Sequence, residues 1–204
     1  MIKNLVFDFG KVLVHFEPLY MAGRYAESEE DARILAEVVF DRLYWDRLDA
    51  GTIEDGEVIS LVKERLPARL HQAAESAYCN WIYNIPEIDG MADLLRWIKS
   101  EYGIPVYLLS NISKYFAHHS EEIPILRLLD RCFFSSEIGM LKPSENIYAH
   151  VCSECGIDAK STLFIDDSPK NIEGARRFGM AGYLFDGDAE KLKKYIEENL
   201  MIEK

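Results

Sequence analysis

Asp8, Ser110 and the pair Asp166-Asp167 each stand where an apolar run of strand-forming residues stops, and Lys142 stands in the loop segment GMLKP ahead of a helical pattern. The runs are Leu5-Val6-Phe7, residues 105–109 and residues 162–165, rich in the β-branched and aromatic types that favour strands. In an open α/β sheet, ligands bind beyond the carboxyl ends of parallel strands. Three such endings, FDFG, LLSN and FIDD, therefore converge on one edge. Three carboxylates brought that close repel one another unless they are protonated or bridged by a cation. Oxygen ligands with room left for water suit Mg²⁺. A metal on Asp8 and Asp167 would align a phosphate for attack by the other oxygen of Asp8, since an aspartate can carry a phosphoryl group as a covalent intermediate. Ser110, the amide of Asn111 and the Lys142 ammonium would neutralise the remaining phosphate oxygens, and Asn171, on the first turn of the helix after Asp167, would lie near the metal.

The elements that must place these groups follow from the rest of the chain. An apolar fraction of 49% and a charged fraction of 28% belong to an ordinary globular protein. The net charge of −12 argues against nucleic acid or an anionic membrane as the main partner. A small phosphorylated metabolite can still bind where local cations or a metal reverse the field. No signal-like segment precedes Asp8 and no apolar run has transmembrane length. The four cysteines lack the spacing of a disulfide framework, so a reduced, cytoplasmic protein is expected. Cys152 and Cys155 fall in a helical pattern and read as packing residues rather than a metal or redox pair.

After the first strand the chain shows only helical patterning as far as residue 83: a start at 19–26, then 29–40, 42–48, 54–66 and 70–81, broken at Gly51-Thr52 and Pro67. One crossover needs far less, so residues 17–83 read as an inserted helical cap, and residues 1–16 with 84–204 as the core domain. The core continues with a helix over 88–102, a strand over 105–109, helical sequence over 113–130 interrupted near Pro124, and a strand over 132–134. A helix over 144–155, a strand over 162–165, a helix over 170–178, a strand over 182–185 and a helix over 189–200 complete it. This alternation predicts a Rossmann-like, doubly wound, mostly parallel α/β sheet.

With these residues in order, the chain resembles the haloacid dehalogenase-like hydrolase superfamily. Asp8 in VFDFGKVLV matches its first motif, Ser110 in LLSN the second, Lys142 in GMLKP the third, and Asp166-Asp167 in FIDDSPKNIEGA the fourth. Together with EEIPIL and SSEIGMLKPSENIY, these segments are similar to bacterial α-glucose-1-phosphate phosphatases of the superfamily. The resemblance implies a Mg²⁺-dependent phosphomonoesterase with Asp8 as nucleophile, Ser110 and Lys142 assisting, and metal ligands from Asp8, Asp167 and the Gly10 carbonyl, with Asp166 behind them.

Gly10 departs from the common pattern, which has a second aspartate there as general acid and base. A poor alkoxide leaving group should suffer by about 10²–10⁴-fold if nothing replaces that acid. His15, His118, His119 or a metal-bound water are the candidate replacements, with a surface or packing role the alternative for each histidine, and Trp45, Asp46 and Arg47 lie in the cap where they could contact a sugar, with a core role the alternative for Trp45. Two other functions compete: a haloacid dehalogenase, disfavoured because the acidic pair points to a metal, and a non-catalytic module that binds a phosphorylated ligand or a partner protein.

Overall fold

The computed structural model describes residues 2–199. Its centre is a five-stranded sheet of β1 (Asn4–Phe7), β2 (Val106–Ser110), β3 (Arg131–Phe134), β4 (Thr162–Asp166) and β5 (Ala181–Leu184). Every pairing is parallel and the order is β3-β2-β1-β4-β5. The chain builds outward from β1 first on one side and then on the other, so the strand order reverses there. Such a switch point leaves a crevice at the carboxyl ends of the central strands.

Between β1 and β2 lie α1 (Pro18–Gly23), α2 (Glu29–Val39), α3 (Arg42–Asp49), α4 (Asp55–Glu64) and α5 (His71–Asn80), followed by α6 (Met91–Tyr102), which returns the chain to the sheet. Then come α7 (Lys114–His119), α8 (Ser135–Ile138), α9 (Glu145–Cys155), α10 (Pro169–Phe178) and α11 (Ala189–Asn199). The last residue of the expected 189–200 helix lies outside the described residues. The central strands are buried on both faces, as their unbroken apolar runs require. Leu5, Phe7, Val106, Leu108, Leu163 and Ile165 pack with Leu95 and Ile98 of α6 and Leu192 and Ile196 of α11. Val6, Tyr107, Leu109 and Phe164 point the other way, against Ile147 and Val151 of α9 and Ile172 of α10. The period-2 alternation thus sends each strand's side chains into two separate cores.

The cap shares the first core. Phe16 lies against Phe40, Trp45 and Trp81 with ring centroids 5.5–6.1 Å apart, and Trp81 stacks on Phe116 of α7 at 5.6 Å. Aromatic packing therefore ties this helical segment to Phe16 beyond β1 and to α7.

Two local expectations differ, and the apolar run Val12-Leu13-Val14 forms no strand: the Leu13 amide donates back to the Phe9 carbonyl at 2.8 Å, closing a turn. The helix expected from residue 88 begins at Met91, because the Ile88 amide donates to Leu13 at 3.0 Å and Gly90 takes φ +81°, outside helical space. The 113–130 segment forms α7 and two 3₁₀ turns, Ser120–Glu122 and Pro124–Leu128, since proline has no N–H to continue an α-helical ladder and holds Ile123 extended.

Candidate active site

The strand register assembles the site. Phe7 pairs with Ile165, and the Asp8 amide donates to the Ile165 carbonyl at 2.9 Å, so Asp8 and Asp166 emerge side by side from β1 and β4. Ser110, the last residue of β2 and 2% exposed, stands at the same edge. Asp8, Asp166 and Asp167 each offer a carboxylate oxygen within 4.8 Å of the others. This hard-oxygen donor set, partly open at Asp167, fits a small divalent cation such as Mg²⁺.

Lys142 is set into the same cluster. Its Nζ lies 2.7 Å from Asp8 Oδ1 and 2.8 Å from Asp166 Oδ2, with the side chain 1% exposed. The Phe164 ring lies 5.4 Å from the ammonium. Burial alone would pull the Lys142 ammonium down, but Asp8 and Asp166 outweigh it and hold the group above the ordinary lysine value. Burial raises the Asp8 carboxyl, against the pull of Lys142 and with the push of Asp166. Asp167 is raised as well, first by burial and then by the charge of Asp166. One ammonium facing three carboxylates leaves a negative pocket that a cation would relieve.

Two asparagines hold the cluster in shape. Asn111 clasps the backbone of Lys142: its Oδ1 accepts from the Lys142 amide at 2.9 Å and its Nδ2 donates to the Lys142 carbonyl at 3.1 Å. The Asn111 side chain is thereby committed to the loop. Asn171 Nδ2 donates to both oxygens of Asp166 at 3.0 Å, and the Ser168 amide donates to Asp166 Oδ1 at 2.8 Å. With Lys142 on Oδ2, Asp166 has its lone pairs engaged by the protein, and Asn171 orients it from the first turn of α10.

Gly10 sits beyond Asp8, bridged to Val14. A Cβ there would meet Phe16 Cβ at 3.6 Å, an ordinary contact, so packing does not forbid a side chain at this position.

The cap candidates are occupied elsewhere. Trp45 is buried and donates from Nε1 to the Val39 carbonyl at 2.8 Å; Asp46 pairs with Arg42, and Arg47 lies 3.7 Å from Glu57. His15 and His118 are exposed, while His119 Nδ1 is 2.8 Å from the Tyr115 carbonyl. Cys152 and Cys155 are free thiols packed beside the α9 core, and burial raises both.

Two residues near the site escape the sequence pattern. Lys11, held at φ +59°, brings a cation whose charge pulls Asp167 down. Asp49, at the end of α3, is buried where the charges of Lys142 and Asp8 both act on it. Lys11 adjoins the first strand ending and was there to be noticed; nothing around Asp49 marks it before the cap is docked.

A doubly wound parallel sheet with an acidic strand-end cluster and one buried lysine is a Rossmann-like α/β scaffold with a hard-cation site at its carboxyl edge. The chain belongs to the haloacid dehalogenase-like hydrolase family, whose model matches residues 2–179. It is 39% identical over 201 residues to a phosphatase of Mycobacterium tuberculosis, covering 91% of this chain and 88% of that one. It is 24% identical over 190 residues to the D-ribitol-5-phosphate phosphatase of Bacteroides thetaiotaomicron, covering 88% and 89%. Among solved structures, a family enzyme of Bacteroides thetaiotaomicron in complex with magnesium and inorganic phosphate superposes with a TM-score of 0.68 at 22% identity, covering 94% of this chain and 99% of that one. The relatives support a phosphomonoester hydrolase. Among the described residues, no helix is long and apolar enough to cross a membrane.

Proposed function

We propose that this chain is a Mg²⁺-dependent phosphatase that acts on a small phosphorylated metabolite in the cytoplasm, a sugar phosphate of the glucose 1-phosphate type first among them. The observation that carries the reading is the placement of Asp8, with one oxygen on Lys142 at 2.7 Å and its carboxylate within 4.8 Å of the donor oxygens of Asp166 and Asp167. Residues 17–83 serve as the cap and residues 1–16 with 84–204 as the core.

In this reading Asp8, Asp167 and the Gly10 carbonyl hold the metal, Asp166 braces the cluster from behind, and Asn171 steadies Asp166. Mg²⁺ held there would supply positive charge that offsets the acidic pocket towards a phosphate dianion. Lys142 holds one oxygen of Asp8 and leaves the other for phosphorus. Asp8 attacks, its O–P bond forms as the ester P–O bond breaks, and water then hydrolyses the aspartyl-phosphate. Ser110, the backbone amide of Asn111 and the Lys142 ammonium take up charge on the phosphoryl oxygens.

Support for a sugar or polyol phosphate comes from the D-ribitol-5-phosphate phosphatase relative and from the motif likeness to glucose-1-phosphate phosphatases. An anomeric phosphate also has a comparatively good leaving group, which suits a site with glycine at position 10. The test is phosphate release from a panel of sugar phosphates, nucleotides and p-nitrophenyl phosphate. Release with Mg²⁺ and none with EDTA is expected, with anomeric phosphates ranking highest. Phosphate and Mg²⁺ binding without release from any compound would instead establish a non-catalytic binding module.

A further inference from the structure

Asp49 is a buried acid for which the mechanism above has no use. It closes α3 and is 5% exposed, and its Oδ1 is buried without a hydrogen-bond partner among the described residues. Buried polar atoms are almost always paired, so an orphan carboxylate oxygen calls for a partner or a ligand.

The backbone around it is fixed to the core. The Asp49 carbonyl accepts from Ser135 Oγ at 2.6 Å, and the same hydroxyl accepts from the Ile112 amide at 2.9 Å, just past β2. Two residues on, Gly51 at φ +67° packs so tightly that a Cβ would stand 2.7 Å from the Ser136 carbonyl. This clamp seats the end of α3 against α8, at the start of the connection that carries Lys142. The charges that act on the Asp49 carboxyl are those of Arg42 and Asp46 on its own helix, of Lys142 and of Asp8 at the end of β1. No side chain at position 10 competes for the acid's role.

We propose that Asp49 is the acid-base residue of the phosphatase reaction, delivered by the cap in place of the aspartate that Gly10 lacks. The proposal rests on the phosphatase reading. In the first half, the Asp8 O–P bond forms, the ester P–O bond breaks, and the Asp49 proton passes to the departing oxygen. In the second, water attacks phosphorus, the bond from phosphorus to Asp8 breaks, and the proton lost by water returns to Asp49. Burial pushes the Asp49 carboxyl up to about 7. A group that titrates near the working pH is suited to both halves.

The experiment compares kcat/KM, which reports only the steps up to leaving-group departure, for p-nitrophenyl phosphate and for the best alkyl phosphate of the panel. Asp49→Asn in the full chain with Mg²⁺ should lower the alkyl value by about 10²–10³-fold and the p-nitrophenyl value by less than about threefold, because nitrophenolate leaves without a proton. Gly10→Asp placed in the Asp49→Asn background should restore part of the alkyl activity. Equal losses on both substrates, or none, would overturn the proposal. Should Asp49→Asn not fold, the wild-type chain carries the same comparison: the ratio of alkyl to p-nitrophenyl kcat/KM should fall about tenfold per pH unit above the titration of Asp49. A ratio that stays flat up to about pH 9 overturns it. A wild type that releases phosphate from nothing removes the phosphatase reading, and this proposal with it.

Discussion

Lys142 is the residue on which the balance of the site turns. Its ammonium is the only cation within hydrogen-bonding distance of both Asp8 and Asp166 among the described residues. Removing one partner of a buried ionic cluster leaves charge uncompensated, at a cost of about 3–5 kcal/mol. Lys142→Met should lose that much in urea unfolding at pH 8 with EDTA present. The sign with pH follows from the carboxylates. A carboxyl raised in the folded state, as Asp8 already is by burial, costs stability above its unfolded value and costs nothing once both states are protonated. The deficit of Lys142→Met should therefore shrink as pH falls from 8 towards 4. A deficit that is absent at pH 8, or that grows on acidification, would mean that the two carboxylates do not depend on Lys142. At this scale the sequence was informative for groups at strand ends, because a polar residue after an apolar run announces itself. It was silent on Asn111 clasping Lys142, a contact across 31 positions that exists only after β2 and the loop before α9 are brought together. The same holds for Asp49, whose burial is a product of cap docking.

At the scale of elements, α10 packs against the lysine loop through Gly174. A Cβ at Gly174 would lie 2.5 Å from the Pro143 carbonyl oxygen and 2.8 Å from Pro143 Cβ, so this helix approaches the lysine loop closer than any other residue would permit. Overpacking of this kind costs about 1–3 kcal/mol. Gly174→Ala should lose that much stability and, by moving Pro143 and Lys142 together, lower kcat more than it raises KM. A variant with reduced Tm and wild-type kcat would show that the loop yields without moving Lys142. The elements themselves were largely legible. Buried parallel strands are continuous apolar runs, and α2, α6 and α10 carry one apolar stripe each, so period and type agree. The departures from local pattern fell where tertiary contacts compete with it: Ile88 pairs with the turn after β1 and so delays α6, and Val12–Val14 folds back onto Phe9 although its residues favour strand. Pro124 was recognised as an interruption, but the switch from α-helix to 3₁₀ turns around it depends on how Ile123, Ile125 and Leu126 reach the core.

For the whole molecule, the net charge of −12 and the acidic cluster point in the same direction. A ligand that binds the folded chain alone stabilises it by about 2.7 kcal/mol at one hundred times its dissociation constant. For a chain of this size that amounts to a rise in Tm of about 5–10 °C. Mg²⁺ should produce such a rise at constant ionic strength, and Asp167→Asn should remove most of it; an equal rise in both proteins would place the cation elsewhere on the acidic surface. The division of labour follows from the topology. The sheet delivers Asp8, Ser110, Asp166 and Asp167 to one edge, the loop before α9 adds Lys142, and the helical segment, packed through Phe16, Trp45 and Trp81, seats the end of α3 on Ser135 after β3. All of this rests on Asp8 acting as the nucleophile. The measurement that tests it most directly is Mg²⁺-dependent phosphate release by Asp8→Asn beside the wild type on the best substrate of the panel. A loss of more than about 10⁴-fold, with the folded state retained, is the predicted result. Release by a folded Asp8→Asn within about tenfold of wild type would contradict the account.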